Sequence, residues 1–188
     1  MKKIKNNIYY FLKKSGNDID YEIYEYGFLT IYYHLIFFLV MIPIVVCFHS
    51  IVETLCFVCF FSALRVKLGG FHFDSHLLCL LFSVIITSLS HFINILLYDI
   101  GIYWKVSFFI FLIILTNIIG VIDNKNKRLS QKEKNILKKQ GICFELFYML
   151  LYILLYYFID INGVYIETLL SSTIISVSSI VVGKIQEN

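Results

Sequence analysis

The sequence predicts an all-helical, polytopic membrane protein with about six transmembrane helices behind an N-terminal interfacial segment. Three observations carry that prediction. Of 188 residues, 59% are hydrophobic and 15% charged, with a mean hydropathy of +0.79, whereas soluble domains hold nearer half apolar residues. Apolar runs of about 18 to 22 residues, the length a helix needs to cross a bilayer, recur along the chain. One Pro and nine Gly leave no room for a collagen-like or disordered class.

The elements follow in order. Residues 1–27 set Lys2, Lys3, Lys5, Lys13 and Lys14 among Ile4, Ile8, Tyr9, Phe11 and Leu12, the pattern of a segment lying on an anionic lipid surface. A long mixed-charge stretch precedes the first long apolar run, and the run lacks a small-residue cleavage site, so no removable signal peptide is expected. Residues 28–188 then form one transmembrane domain with apolar segments near Phe28–Phe48, Ile51–Leu68, Leu77–Tyr98, Tyr103–Ile122, Ile142–Ile159 and Val164–Val182. Each reaches across a hydrocarbon core of about 30 Å at about 1.5 Å per residue. Glu53 shortens the second, and four spans with re-entrant segments is the rival count.

Charge placement fixes an expected orientation. With the N-terminus inside and six crossings, 15 of the 16 Lys and Arg residues fall on the cytoplasmic side, as the positive-inside rule requires. Only Lys105 falls outside. The cytoplasmic loop 123–140 carries seven cations against Asp123 and Glu133, which suits topogenesis, anionic lipid or the docking of an acidic peptide. Nucleic acid is not an expected partner.

Two helix faces carry more information. His76, Cys79, Ser83, Thr87, Ser90 and Asn94 recur every three or four residues on the third segment, a polar stripe that must face protein or water. Thr168, Ser172, Ser176, Ser179 and Gly183 repeat likewise on the last, a seam of small residues along which another helix can approach. Self-association through this seam, a homo-oligomer, is conceivable. Deep ionisable residues look nearly absent, which argues against the rival reading of a small transporter or peptide exporter.

The stretch that carries chemistry runs from Arg65 to Cys79. Gly69-Gly70 permits positive φ and close backbone approach, so it should break the helix and fold the chain back over the start of the third segment. Cys79 then lies about one turn inside that helix, where the helix N-terminus, Arg65 and an imidazole could each lower its pKa. The residues alone leave three readings open. Cys79 is an inert packing residue, or half of a Cys-His nucleophilic pair, or one ligand of a metal site with His72, His76 and Asp74, as in a metal-dependent membrane hydrolase. Helix spacing would favour His76 as the partner, since it shares a face with Cys79. Cys56 and Cys59 lie within an apolar run and read as packing residues, and His34, His49 and His91 stand apart with no partner spacing.

The run from Arg65 to Cys79 resembles the accessory gene regulator B family, the membrane cysteine endopeptidases that process quorum-sensing propeptides. The matching elements are Arg65, Gly69 and Gly70 four and five residues on, His72 two beyond, and Cys79 seven after that. A charged N-terminal stretch, the order of apolar segments and a basic loop extend the likeness over nearly the whole chain; where the family often has Pro, this chain has Val121 and Arg128. The resemblance implies Cys79 as nucleophile, His72 as general base, Arg65, Gly69 and Gly70 as supports, and neither metal nor other cofactor. It implies a propeptide substrate with an acidic C-terminal tail, for which Lys138 and Lys139 are candidate docking residues. It also implies a thioester on the enzyme from which a (thio)lactone signal peptide cyclises, at a site facing the cytoplasm.

Overall fold

The computed structural model describes residues 9–10, 21–71, 73, 75–122, 129–158 and 163–187. Among these, six helices follow one another: α1 (Tyr21–Cys47), α2 (Ile51–Leu68), α3 (His76–Tyr98), α4 (Ile102–Ile119), α5 (Gln131–Phe158) and α6 (Gly163–Glu187), with no strand among the described residues. The chain is an all-α polytopic membrane protein. Five helices are long and apolar enough to cross a membrane, namely α1 from Gly27 onward, α3, α4, α5 and α6. Helix α2 has 18 residues but carries Glu53, Arg65 and Lys67.

Two helices begin earlier than the apolar runs suggested. Helix α1 is continuous from Tyr21, so the last residues of the expected interfacial segment join the first span; residues 1–8 and 11–20 of that segment lie outside the described residues. Helix α5 starts at Gln131, so Lys132, Lys134, Lys138 and Lys139 stand on a helix and not in a loop. The reason is a reciprocal N-terminal cap. The Glu133 carboxylate accepts from the Ser130 N–H at 2.8 Å and from its hydroxyl at 2.7 Å, while Ser130 Oγ accepts from the Glu133 N–H at 3.3 Å. The remainder of the basic segment, 123–128, lies outside the described residues.

Direction alternates from helix to helix. Glu53 bonds Asn94 near the start of α2 and the end of α3, and Arg65 bonds Ser179 at the opposite ends of α2 and α6, so α3 runs against α2 and α6. One end of the bundle therefore carries the turn after α2, the segment after α4 and the close of α6. The other end carries the turns after α1 and α3 and the start of α6.

Helix α6 is the hub. In its most apolar window 78% of residues are buried, against 11–22% in the other four candidate spans, so the others turn far more apolar surface outward than α6 does. Leu64, Leu68, Phe109, Leu112, Tyr148 and Tyr152 pack about its Leu169, Leu170, Val177 and Ile180. The expected seam explains why it fits there. Thr168, Ser172, Ser176 and Ser179 are all buried, and small side chains let neighbouring backbones come close where lipid offers no hydrophobic drive. Two of these hydroxyls bond back to their own helix, Thr168 to Tyr165 O and Ser172 to Leu169 O. The polar stripe of α3 turns inward as expected, with Thr87, Ser90 and Asn94 buried.

The expectation that deep ionisable residues are nearly absent is corrected. Glu53, Lys105, Glu145 and Glu167 are all buried, each resting against a polar partner from another helix. Lys105 occupies the first turn of α4, where Nζ donates to Glu167 Oε1 at 2.6 Å and to Tyr98 O at 3.3 Å, and Tyr152 Oη donates to the same carboxylate at 2.9 Å. Glu53 accepts from Asn94 Nδ2 at 2.5 Å and meets His91 Nδ1 at 2.8 Å, beside a cavity of about 230 Å³ lined by His49, Tyr98 and Tyr165. The Thr116 hydroxyl donates to Glu145 at 2.7 Å. Desolvated carboxylates persist in such places only with partners of this kind.

Candidate active site

The site is built from the break between α2 and α3. Helix α2 ends at Leu68 because Gly69 turns to φ 72°, with its N–H still bonded to Arg65 O at 2.9 Å. Gly70 follows at φ 139°. Both positions require glycine for space as well as for backbone angle. A Cβ on Gly69 would lie 2.6 Å from Ile122 O, and one on Gly70 would lie 2.5 Å from Ser179 Oγ. The loop is thus pressed between the segment after α4 and the last turns of α6.

Hydrogen bonds hold it there. Leu68 O accepts from the Ile122 N–H at 3.2 Å, and the Phe71 N–H donates to Ser179 O at 3.1 Å and to Ser179 Oγ at 3.1 Å. Arg65 closes the arrangement from α2, with Nη1 donating to Ser179 Oγ at 3.1 Å and Nη2 to Phe71 O at 2.5 Å. Its guanidinium also lies over the Phe61 ring, 5.6 Å from the centroid. Gly183 supplies the gap beneath. A Cβ there would come within 3.2 Å of the Phe71 nitrogen. Beyond, Phe71, Phe73 and Phe82 form an aromatic cluster that ties the loop to the second turn of α3, with centroids 4.5 Å apart for Phe71–Phe73 and 5.3 Å for Phe73–Phe82.

Cys79 stands in the first turn of α3. Ser75 precedes the helix in extended conformation, and the Cys79 N–H makes the opening helical bond to Ser75 O at 3.0 Å. The thiol is free and half-buried, at a helix end whose dipole favours negative charge, and the Arg65 guanidinium is near enough to interact with it electrostatically. His76, the rival partner by helix spacing, stacks against Tyr33 of α1 with centroids 5.4 Å apart and planes 18° from parallel. His72 and Asp74 lie outside the described residues. Lys138 and Lys139 are on α5, the first half-buried and the second exposed. Among the described residues no three His, Cys, Asp or Glu side chains gather as a metal site.

Arg65, Gly69 and Gly70, expected as supports, are therefore brought together. The residue that sequence reasoning passed over is Ser179. It belongs to the small-residue seam, but that pattern speaks only of close helix approach and says nothing of an arginine and a loop arriving from more than 100 positions upstream.

A helical bundle with five long apolar helices, and at one end a free thiol on a helix start beside an arginine-clamped glycine loop, defines a polytopic membrane protein with a candidate thiol site at its edge. More particularly, the chain belongs to the accessory gene regulator B family, whose model matches residues 5–183. Members of that family act as peptidases on the propeptides of quorum-sensing signals. No curated protein and no solved structure matches the chain.

Proposed function

We propose that the protein is a membrane thiol endopeptidase that removes the acidic C-terminal tail of a quorum-sensing propeptide and promotes cyclisation of the signal, with Cys79 as nucleophile and His72 as general base. The observation that carries this reading is the clamp of Arg65 and Ser179 on the Gly69–Phe71 loop. It fixes Phe71 against α6, and Ser75 opens α3 one turn before Cys79.

The chemistry follows from these residue types. His72 takes the thiol proton, and the Cys79 thiolate attacks the carbonyl carbon at the end of the signal segment. As the C–N bond breaks, His72 returns the proton to the leaving amine and the tail departs, leaving a thioester. A thiol or hydroxyl within the substrate then attacks that acyl group, releasing Cys79 and closing the ring. Thiol attack exchanges one thioester for another, so no nucleotide hydrolysis is needed. Water competes for the same acyl group, and a site at the edge of a lipid-embedded bundle favours cyclisation by limiting its access. In this reading the site end faces the cytoplasm, where Lys138 and Lys139 attract the acidic tail.

The test is propeptide cleavage in membranes that retain the protein. His72→Ala and Cys79→Ala each abolish it, and the double variant is no worse than either, because members of a pair act as a unit. His76→Ala keeps measurable cleavage. Activity lost to chelators and not to alkylation would point to a metal-dependent hydrolase; cleavage by Cys79→Ala would end the thiol reading.

A further inference from the structure

We propose that Ser179, on the central helix α6, is a positioning residue of the peptidase site: it seats the Arg65 guanidinium and the Phe71 backbone in register with Cys79, so that part of the reactivity of the thiol is set from a helix that contributes no reacting atom. This inference rests on the reading of Cys79 as nucleophile and adds to it the group that orients its surroundings.

The geometry is specific. One hydroxyl oxygen accepts from Arg65 Nη1 and from the Phe71 N–H, both at 3.1 Å, and the carbonyl of the same residue accepts from that N–H as well. Arg65 is in turn fixed through its second nitrogen to Phe71 O. Three groups from two distant parts of the chain thus close a ring of hydrogen bonds about the turn that leads to α3. The site has no slack on the α6 side. A Cβ at Gly70 would strike Ser179 Oγ, and one at Gly183 would press on the Phe71 nitrogen. Seam hydroxyls nearer the middle of α6 reach no other helix: Ser172 bonds to Leu169 O, and buried Ser176 Oγ has no partner. Ser179 is the position at which the seam turns from packing to holding.

Two consequences separate this role from simple packing. A cation held beside a thiol favours the thiolate, so a guanidinium freed on one side from Ser179 swings and Cys79 becomes harder to deprotonate. The loss also falls on the chemical step and not on capture of a substrate that docks elsewhere, which places it in kcat.

The experiment uses the full chain with Cys47, Cys56, Cys59 and Cys143 replaced by Ser, purified in mild detergent. It measures the pH dependence of Cys79 alkylation by iodoacetamide and the cleavage of a propeptide. In Ser179→Ala the midpoint of alkylation rises by about half a pH unit, making the reaction about threefold slower at neutral pH. The value of kcat falls about tenfold while KM changes less than about twofold. Arg65→Ala raises the midpoint as well, and the double variant adds little to it, because both act through one cation. Ser176→Ala, one turn away in the same seam, matches the parent in both assays. If Ser179→Ala is folded and slow but its alkylation midpoint is unmoved, or if its shift adds fully to that of Arg65→Ala, Ser179 only packs and the proposal is overturned. If Ser179→Ala does not fold, the midpoint of Arg65→Lys decides: the parent's value overturns the proposal, and a raised one supports it, because lysine keeps the charge without the two-pronged seating. Cleavage by Cys79→Ala would instead sink the underlying thiol reading, whatever Ser179 does.

Discussion

Replacing Lys105 with Met removes one partner of the ion pair at the end of the bundle away from the Gly69-Gly70 turn and leaves the other in place. Lys105 and Glu167 are 3% and 2% exposed, and 2.6 Å apart. Without the ammonium, Glu167 keeps only the Tyr152 hydroxyl, and its second oxygen already has no partner. Stranding a buried charge in this way costs about 3–5 kcal/mol. For a chain of this size each kcal/mol moves a thermal midpoint by about 2–4 °C, so the midpoint of Lys105→Met falls by about 6–20 °C. The assay is heating in detergent micelles followed by fluorescence of Trp104, which adjoins Lys105 and is the single tryptophan of the chain. Adding Glu167→Gln removes the stranded charge and keeps an acceptor for Tyr152, so the double variant recovers most of the loss. An unchanged midpoint in Lys105→Met, or a double variant less stable than the single, would refute the view that the pair holds α4 against α6 by mutual compensation.

Two further predictions concern the site end. Replacing Lys138 and Lys139 by Glu weakens propeptide cleavage several-fold more than the same change at Lys2 and Lys3, and the gap narrows as salt shortens the reach of the cationic face below about 8 Å; equal effects in a cleavage titration would reduce those lysines to setting topology. Single cysteines at positions 73 and 130, in a chain without its native cysteines, resist an impermeant maleimide on intact cells, whereas one at Gly101 reacts; ready labelling at 73 would invert the orientation.

Apolar run length made most of the helices legible, since Ile51–Leu68 and the bounds of α3 need no tertiary information. The Gly69-Gly70 break was legible too, because only glycine accepts the two left-handed φ values that the turn adopts. The start of α5 was misplaced for want of the Ser130–Glu133 pairing, a motif present in the sequence but hidden by the lysines around it. The buried ionisable groups were missed for a different reason. Glu53, Lys105 and Glu167 each sit within the first turns of a helix, where a one-dimensional reading assigns them to water, and their partners lie 38 to 62 residues away. Ser179 was seen and its purpose was not, because periodicity reports which face a residue occupies and never which distant group arrives there.

The place of α6 has a consequence for biogenesis. The five preceding helices leave the ribosome first, yet the surfaces that they turn toward one another are shaped around a sixth that has not been made. Until it enters, Leu64, Phe109 and Tyr152 have lipid or each other for company, the Lys105 ammonium lacks its counter-ion, and the Phe71 N–H lacks its acceptors. Assembly therefore completes from the outside inward, with α6 entering a slot already lined by its neighbours. A ribosome stalled before residue 163 would hold a nascent chain that contains Cys79 but no seat for the loop beside it while the polypeptide is still being threaded into the bilayer.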